Sequence, residues 1–214
     1  MAGRIYISGG GSAEDTKQLD ELFFNELPAG SKFLFVVTGF QGDPREQTAQ
    51  QWMVDLLLMH NRPDLICQMA YDLNDIKSLA DYHAVYIGGG DARLLMNEMD
   101  DSGFEKILAR FNFYGGVLYG GGSGGGLIMG KYIDTSSEIK TPFRTGLDLI
   151  GRYSIRAHYE QSREDWASWP IKHGGLLLCL PSDVGVVEAK LFLFVGARMS
   201  IMTIACATRR VRLA

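Results

Sequence analysis

Ser123 stands in a run that ordinary helix starts do not contain, Gly120-Gly121-Gly122-Ser123-Gly124-Gly125-Gly126. An apolar strand-like segment over 116–119 precedes it, and Leu127-Ile128-Met129 opens a helix behind it. A hydroxyl on a strand-to-helix turn is the arrangement of a nucleophile elbow, here Gly121-x-Ser123-x-Gly125. Small neighbours let the backbone pass sharply behind the serine, and glycine accepts the φ values that such a turn demands. The chemistry would be attack of the hydroxyl on an acyl carbon, with the amide of the next residue, Gly124, donating to the oxyanion. Two phosphate-binding readings compete. Gly120-x-Gly122-x-x-Gly125 has dinucleotide spacing, but that fingerprint belongs to a first βα unit and this one lies past mid-chain. Gly125 to Gly130-Lys131 has P-loop spacing, but Tyr132 stands where a magnesium-binding Ser or Thr is needed. A close-packed glycine turn with Ser123 as a mere N-cap is the non-catalytic alternative.

An elbow serine requires a general base. Of the four histidines, His60 falls in a helix and His83 opens a strand, so both read as structural. His158 ends a strand-like segment downstream of the serine and is the favoured base. His173, beside Gly174-Gly175 in a turn, is the fallback.

The elements that would hold these groups alternate between short apolar runs and longer amphipathic stretches, the pattern of βα units around a mostly parallel sheet. Residues 4–8 form a first strand that ends in Gly9-Gly10-Gly11. Ser12, with Glu14 and Asp15, then opens a helix with Leu19, Leu22, Phe23 and Leu27 on its apolar face. Residues 33–38 are a continuously apolar strand of the doubly buried kind. A helix over about 46–60 carries Trp52, Leu56 and Met59 on one face. Residues 83–87 form a strand closed by Gly88-Gly89-Gly90 and followed by a helix with Leu94, Leu95 and Met99. A further helix over 104–113 leads to the strand before the elbow. Residues 153–158 read as a strand, and 176–180 with two late apolar runs complete the sheet.

Composition narrows the class. The chain has 214 residues with 26 glycines, where ~7% glycine would give about 15. A hydrophobic content of 46% with six prolines excludes collagen and a disordered linker. The length suits a single domain over 1–214. A net charge of −4 from interspersed charges argues against nucleic acid as a partner. Cys67, Cys179 and Cys206 are far apart and lack metal spacing, so neither a disulfide framework nor a metal is expected. Residues 1–4 run straight into a short apolar alternation without a secretory signal. The apolar run 191–207 holds Arg198, which would cost about 2.5–3.5 kcal/mol at a bilayer centre, so it reads as buried strand. A cytoplasmic protein without membrane contact is the expectation.

Three local patterns share a chain order: Ile87-Gly-Gly-Gly-Asp-Ala-Arg-Leu-Leu95, the elbow at Ser123, and Ala157-His158-Tyr159. Together they resemble the dipeptidase E and cyanophycinase family of serine peptidases over about 4–188. The resemblance implies a class I glutamine amidotransferase-like α/β fold, a flavodoxin-like three-layer arrangement. It also implies Ser123 as nucleophile, His158 as base and Glu138 as its orienting acid, with Asp134 and Asp148 as rivals. Gly90 would be the second oxyanion donor, and Asp91 and Arg163 would contact substrate, Arg163 as the cation that an aspartyl side chain needs. Small peptides, aspartyl dipeptides among them, would be the substrates, with no cofactor; a homodimer is compatible. The family usually has Ser-Ala-Gly-Ala where this chain has Ser123-Gly124-Gly125-Gly126, and the loss of two methyls is expected to loosen the turn. The basic stretch 190–214 has no counterpart, and Gly9-Gly10-Gly11 has no assigned chemistry. The alternatives are a catalytically silent small-ligand-binding protein of the same fold, and a nucleotide-binding protein.

Overall fold

The computed structural model describes residues 3–135, 144–151, 153–159, 176–180, 184–188 and 192–196. The chain opens with β1 (Ile5–Ser8), α1 (Ala13–Glu26), β2 (Lys32–Val36), α2 (Arg45–Met59) and β3 (Ile66–Ala70). It continues with β4 (Ala84–Ile87), α3 (Ala92–Ser102), α4 (Phe104–Phe113), β5 (Val117–Gly120) and α5 (Gly122–Ile128). The described remainder holds β6 (Tyr153–Arg156), β7 (Leu176–Cys179), β8 (Val184–Glu188) and β9 (Phe192–Gly196).

The main sheet has the order β3-β2-β4-β5-β1-β8-β9. Strands β1 to β5 pair in parallel, and β8 and β9 close one edge antiparallel. The sheet is thus mostly parallel, as the βα alternation required. Residues 176–180 do not join it: β7 pairs in parallel with β6 as a separate two-stranded ladder. β3 has no counterpart in the sequence pattern, because Ile-Cys-Gln-Met-Ala neither alternates nor forms a long apolar run, and only Ala70 is buried.

Strand periodicity assigns each side chain to one of two helical layers. Ile5, Ile7, Leu34, Val36, Val85, Ile87 and Leu118 face α3, α4 and α5 in an aliphatic core. The alternate positions Tyr6, Phe33, Phe35, Tyr86 and Tyr119 face α1 and α2 in an aromatic one. Tyr86 and Tyr119 stack with centroids 4.2 Å apart, and Phe23 of α1 meets Tyr119 edge-on at 5.1 Å. In α1, Phe24 takes the core place expected of Leu22, which is 41% exposed. In α2 the buried set is Ala49, Met53, Leu56 and Leu57, while Trp52 and Met59 stay largely accessible.

The helix starts are chemically marked. Ser12 and Asp15 form a reciprocal capping box at α1. Asp91 accepts from the backbone N–H groups of Arg93 and Leu94 at the start of α3.

One polar group sits inside the aromatic layer. Asp20 is fully buried; it accepts from the Thr16 hydroxyl at 2.6 Å, and its Oδ1 has no partner among the described residues. Burial pushes its carboxyl up to about 6, against the opposing pull of the Thr16 and Tyr119 hydroxyls. The folded state therefore holds this proton more tightly than the unfolded chain does. Its contribution to stability is complete below the ordinary value of 3.8 and is lost as pH rises through about 6. Asp20→Asn, neutral throughout, should gain on the wild type by about 2.5 kcal/mol between pH 4 and pH 8. Urea unfolding of both proteins at the two pH values measures this, and a gap that does not change with pH would refute the assignment.

Candidate active site

Strand β5 delivers the chain to the elbow, and the turn is anchored across the sheet. The Gly121 N–H donates to the Ile87 carbonyl at the end of β4 (2.8 Å). Gly121 caps α5 with an extended backbone, and Gly122 carries the left-handed φ of +54°. The conformation that excludes other residues thus falls on the glycine before Ser123, not on the serine, which lies in the first turn of α5.

The missing methyls have not loosened the turn. An ideal Cβ on Gly124 would lie 2.4 Å from the Gly90 carbonyl oxygen. The elbow and the Gly88–Gly90 turn therefore pack backbone against backbone, closer than an alanine at 124 permits. This closeness puts the two expected oxyanion donors on adjoining segments. Leu127, Ile128 and Met129 are buried in the aliphatic core, so the P-loop reading has no exposed phosphate loop to work with.

His158 reaches the site from the ladder of β6 and β7. The Leu180 N–H donates to the Arg156 carbonyl and the Tyr159 N–H to the Leu180 carbonyl, flanking the histidine. The His158 N–H donates to the Gly9 carbonyl at 2.8 Å, and the residue adopts a left-handed φ of +50°. Gly10 lies against the ring: a Cβ there would stand 2.2 Å from His158 Cε1. The first glycine cluster, without a role in the sequence reading, is the seat of the imidazole. Its contact joins residues nearly 150 positions apart, which no local pattern could reveal.

Ser123, His158, Gly122 and Gly88 to Gly90 line one cavity of about 270 Å³. Its far wall comes from Phe35, Phe40 and Tyr86 and from α2, through Arg45, Thr48, Ala49 and Trp52. These four helical positions have i, i+3, i+4, i+7 spacing, so they share a face. The signal was present in the sequence, but it was submerged in a helix read only for its core.

The remaining expected residues separate. Glu138 and Arg163 lie outside the described residues, as does His173. Asp134 is buried and engaged: it pairs with Arg93 at 2.7 Å and accepts the Arg144 N–H at 2.6 Å. Asp148 is an exposed turn residue at φ +51°. Neither acid lines the cavity, and nor does Asp91, whose carboxylate caps α3. Thr135 is buried, and its hydroxyl donates to the Ile155 carbonyl, three residues before His158. Thr135, tied to the strand that precedes the histidine, is the last described residue before Glu138 in the sequence.

His60 packs on Phe24 at 5.4 Å, and burial pushes its proton affinity down. His83 lies at the opposite end of β4 from the glycine turn, consistent with a structural place. Burial pushes the Cys67 thiol up to about 12 and the Cys179 thiol up to about 11, so neither offers a thiolate near neutral pH. Among the described residues no three His, Cys, Asp or Glu side chains converge to hold a metal ion, and no helix is long and apolar enough to cross a membrane.

A three-layer α/β domain that presents a serine at a strand-to-helix elbow, with a histidine on the same cavity, defines the class of serine hydrolases. Within it, residues 5–172 match the sequence profile of peptidase family S51, and the chain belongs to that family. It is a serine peptidase. Among solved structures, a peptidase from an acI-B1 actinobacterium superposes with a TM-score of 0.72 at 15% identity, covering 92% of this chain and 88% of that one. A protein assigned as a peptidase E from Listeria monocytogenes EGD-e gives a TM-score of 0.65 at 14% identity, with 92% and 100% covered. No curated protein matches the chain.

Proposed function

We propose that the chain hydrolyses short peptides through an acyl-enzyme formed on Ser123. The observation that carries this reading is the shared cavity of Ser123, His158 and the Gly88–Gly90 turn. Ser123 Oγ attacks the scissile carbonyl as its proton passes to His158. The carbonyl oxygen gains charge against the backbone N–H groups of Gly90 and Gly124. Collapse of the tetrahedral intermediate breaks the C–N bond, and His158 returns the proton to the leaving amine. Water then attacks the ester by the same route and frees Ser123. Glu138, three residues after Thr135 in the sequence, is the proposed orienter of the imidazole.

An aspartyl side chain, which the family resemblance implies, would need a cation near Ser123. Among the described cavity residues that cation is Arg45, whose fork is already paired with Asp43 at 2.8 and 2.9 Å. Arg163 is the other candidate.

A serine-reactive fluorophosphonate tests the nucleophile directly. Wild type should take up one adduct per chain by intact mass, and Ser123→Ala should take up none. Failure to label the wild type would favour a silent ligand-binding protein, and equal labelling of the variant would move the nucleophile elsewhere.

A further inference from the structure

A second cavity opens at the end of the sheet opposite the elbow. His83, on its wall, directly precedes β4, which runs from there to the Gly88–Gly90 turn. Gly115 and Gly116, also on its wall, precede β5, which runs to the elbow. The volume is about 610 Å³, a size usual for small-molecule sites. It shares no lining residue with the cavity of Ser123.

The floor is apolar. Leu79 is buried, and Ile107 and Phe111 of α4 pack on the aliphatic core. Gly116 gives Phe111 its place: a Cβ there would stand 2.3 Å from the ring, so the ring settles directly on the backbone before β5. Tyr82 and Tyr114 add two further rings from separate segments. Among the described residues, Tyr82, Phe111 and Tyr114 make no ring contact with one another; Tyr114 is 73% exposed and meets only Phe113, at 5.3 Å. Their own packing therefore leaves the volume between them open.

The rim is cationic. Lys77, His83 and Arg110 are all exposed lining residues. No Asp or Glu among the described residues lines the cavity, although acids outnumber Lys and Arg by 25 to 21 in the chain. None of the ion pairs among the described residues uses Lys77 or Arg110. The Arg110 guanidinium instead lies over the Tyr114 ring at 5.8 Å, and the Lys32 ammonium over the Tyr82 ring at 4.6 Å. An anion at this mouth gains charge-assisted hydrogen bonds without first breaking an ion pair. A phosphate suits it best, since its several acceptor oxygens can meet a guanidinium, an ammonium and an imidazole together. The floor asks for something else, a flat apolar body that displaces water from Leu79, Ile107 and Phe111.

We propose that this cavity is a second ligand site, which binds a phosphate carried on a flat ring, as in a nucleoside monophosphate or an aryl phosphate. It is independent of the peptidase reading, because neither Ser123 nor His158 takes part.

Isothermal titration with AMP, phenyl phosphate, adenosine and inorganic phosphate tests both halves of the site. AMP or phenyl phosphate should bind about tenfold or more tighter than adenosine and inorganic phosphate, since each of the latter lacks one half. The double variant Lys77→Gln/Arg110→Gln should weaken that binding about tenfold or more, the scale of one or two charge-assisted hydrogen bonds. Ala80→Trp, at an exposed lining position, should weaken it likewise by filling the mouth. Thermal melting confirms that each variant is folded, and Ser123→Ala should bind as the wild type does. No binding of either ring phosphate overturns the proposal, as does inorganic phosphate or adenosine binding as tightly as both of them. Unchanged affinity in the folded variants, or affinity lost in Ser123→Ala, would place the ligand elsewhere and overturns it too. Fluorophosphonate labelling of Ser123 stands or falls separately from all of these results.

Discussion

Ser123→Ala should lower kcat by about 10⁴- to 10⁶-fold while the fold and KM are retained. The hydroxyl is the atom that forms the acyl-enzyme, so its loss removes the route and not merely one interaction along it. The methylene stays where it was, in the first turn of α5, and α5 is held by the packing of its glycines on the ends of β1 and β4. His158→Ala should cost nearly as much, because a serine without its base is a weak nucleophile. The double variant should be little worse than either single one, since groups that act as a unit are not additive. Steady-state hydrolysis of a dipeptide panel that includes Asp-Ala and Phe-Ala, by all three variants, checks this. Additive losses, or more than 1% residual activity in Ser123→Ala, would show that the two residues do not work as a pair.

The sequence exposed the parts of this site whose demands are local. Ser123 and its glycines lie within seven consecutive residues, and the φ of +54° at Gly122 is a property of the turn itself. The helix start at Ser12 was legible for the same reason, whereas the cap that Asp91 supplies to α3 was not read from the sequence. What was hidden depends on contacts between distant segments. Gly10 is explained only by the ring of His158, and Gly124 only by the carbonyl of Gly90. The aromatic packing behind the cavity needed the sheet register, which sets Phe35 beside Tyr86. It also needed the rotation of α2, which turns Trp52 from the expected core position toward the cavity. The placing of β7 beside β6, outside the main sheet, followed the same rule: a short run such as Leu-Leu-Leu-Cys specifies a strand but not its neighbour.

Gly10→Ala should reduce kcat about 100-fold or more through His158, without touching a reacting group. A methyl at position 10 would lie 2.2 Å from Cε1 and 2.7 Å from Nε2 of the imidazole. No van der Waals contact is possible at that range, so either the ring or the Gly9–Gly11 backbone must move. The His158 backbone cannot easily follow, because its N–H is bonded to Gly9 and its neighbours to Leu180. The imidazole must therefore rotate, and a base displaced by about 1 Å can lose about 10²-fold in rate. Alanine is also strained at the φ of +99°, and that effect has to be separated from the clash. Gly30 provides the comparison: its φ is +73° and nothing lies within 4 Å of the added Cβ. Gly30→Ala should lose about 1–2 kcal/mol of stability and no activity. If the two variants melt alike and Gly10→Ala alone loses turnover and fluorophosphonate reactivity, the first glycine cluster is part of the catalytic framework. Activity within threefold of wild type in a folded Gly10→Ala protein would mean that the ring has another place to go.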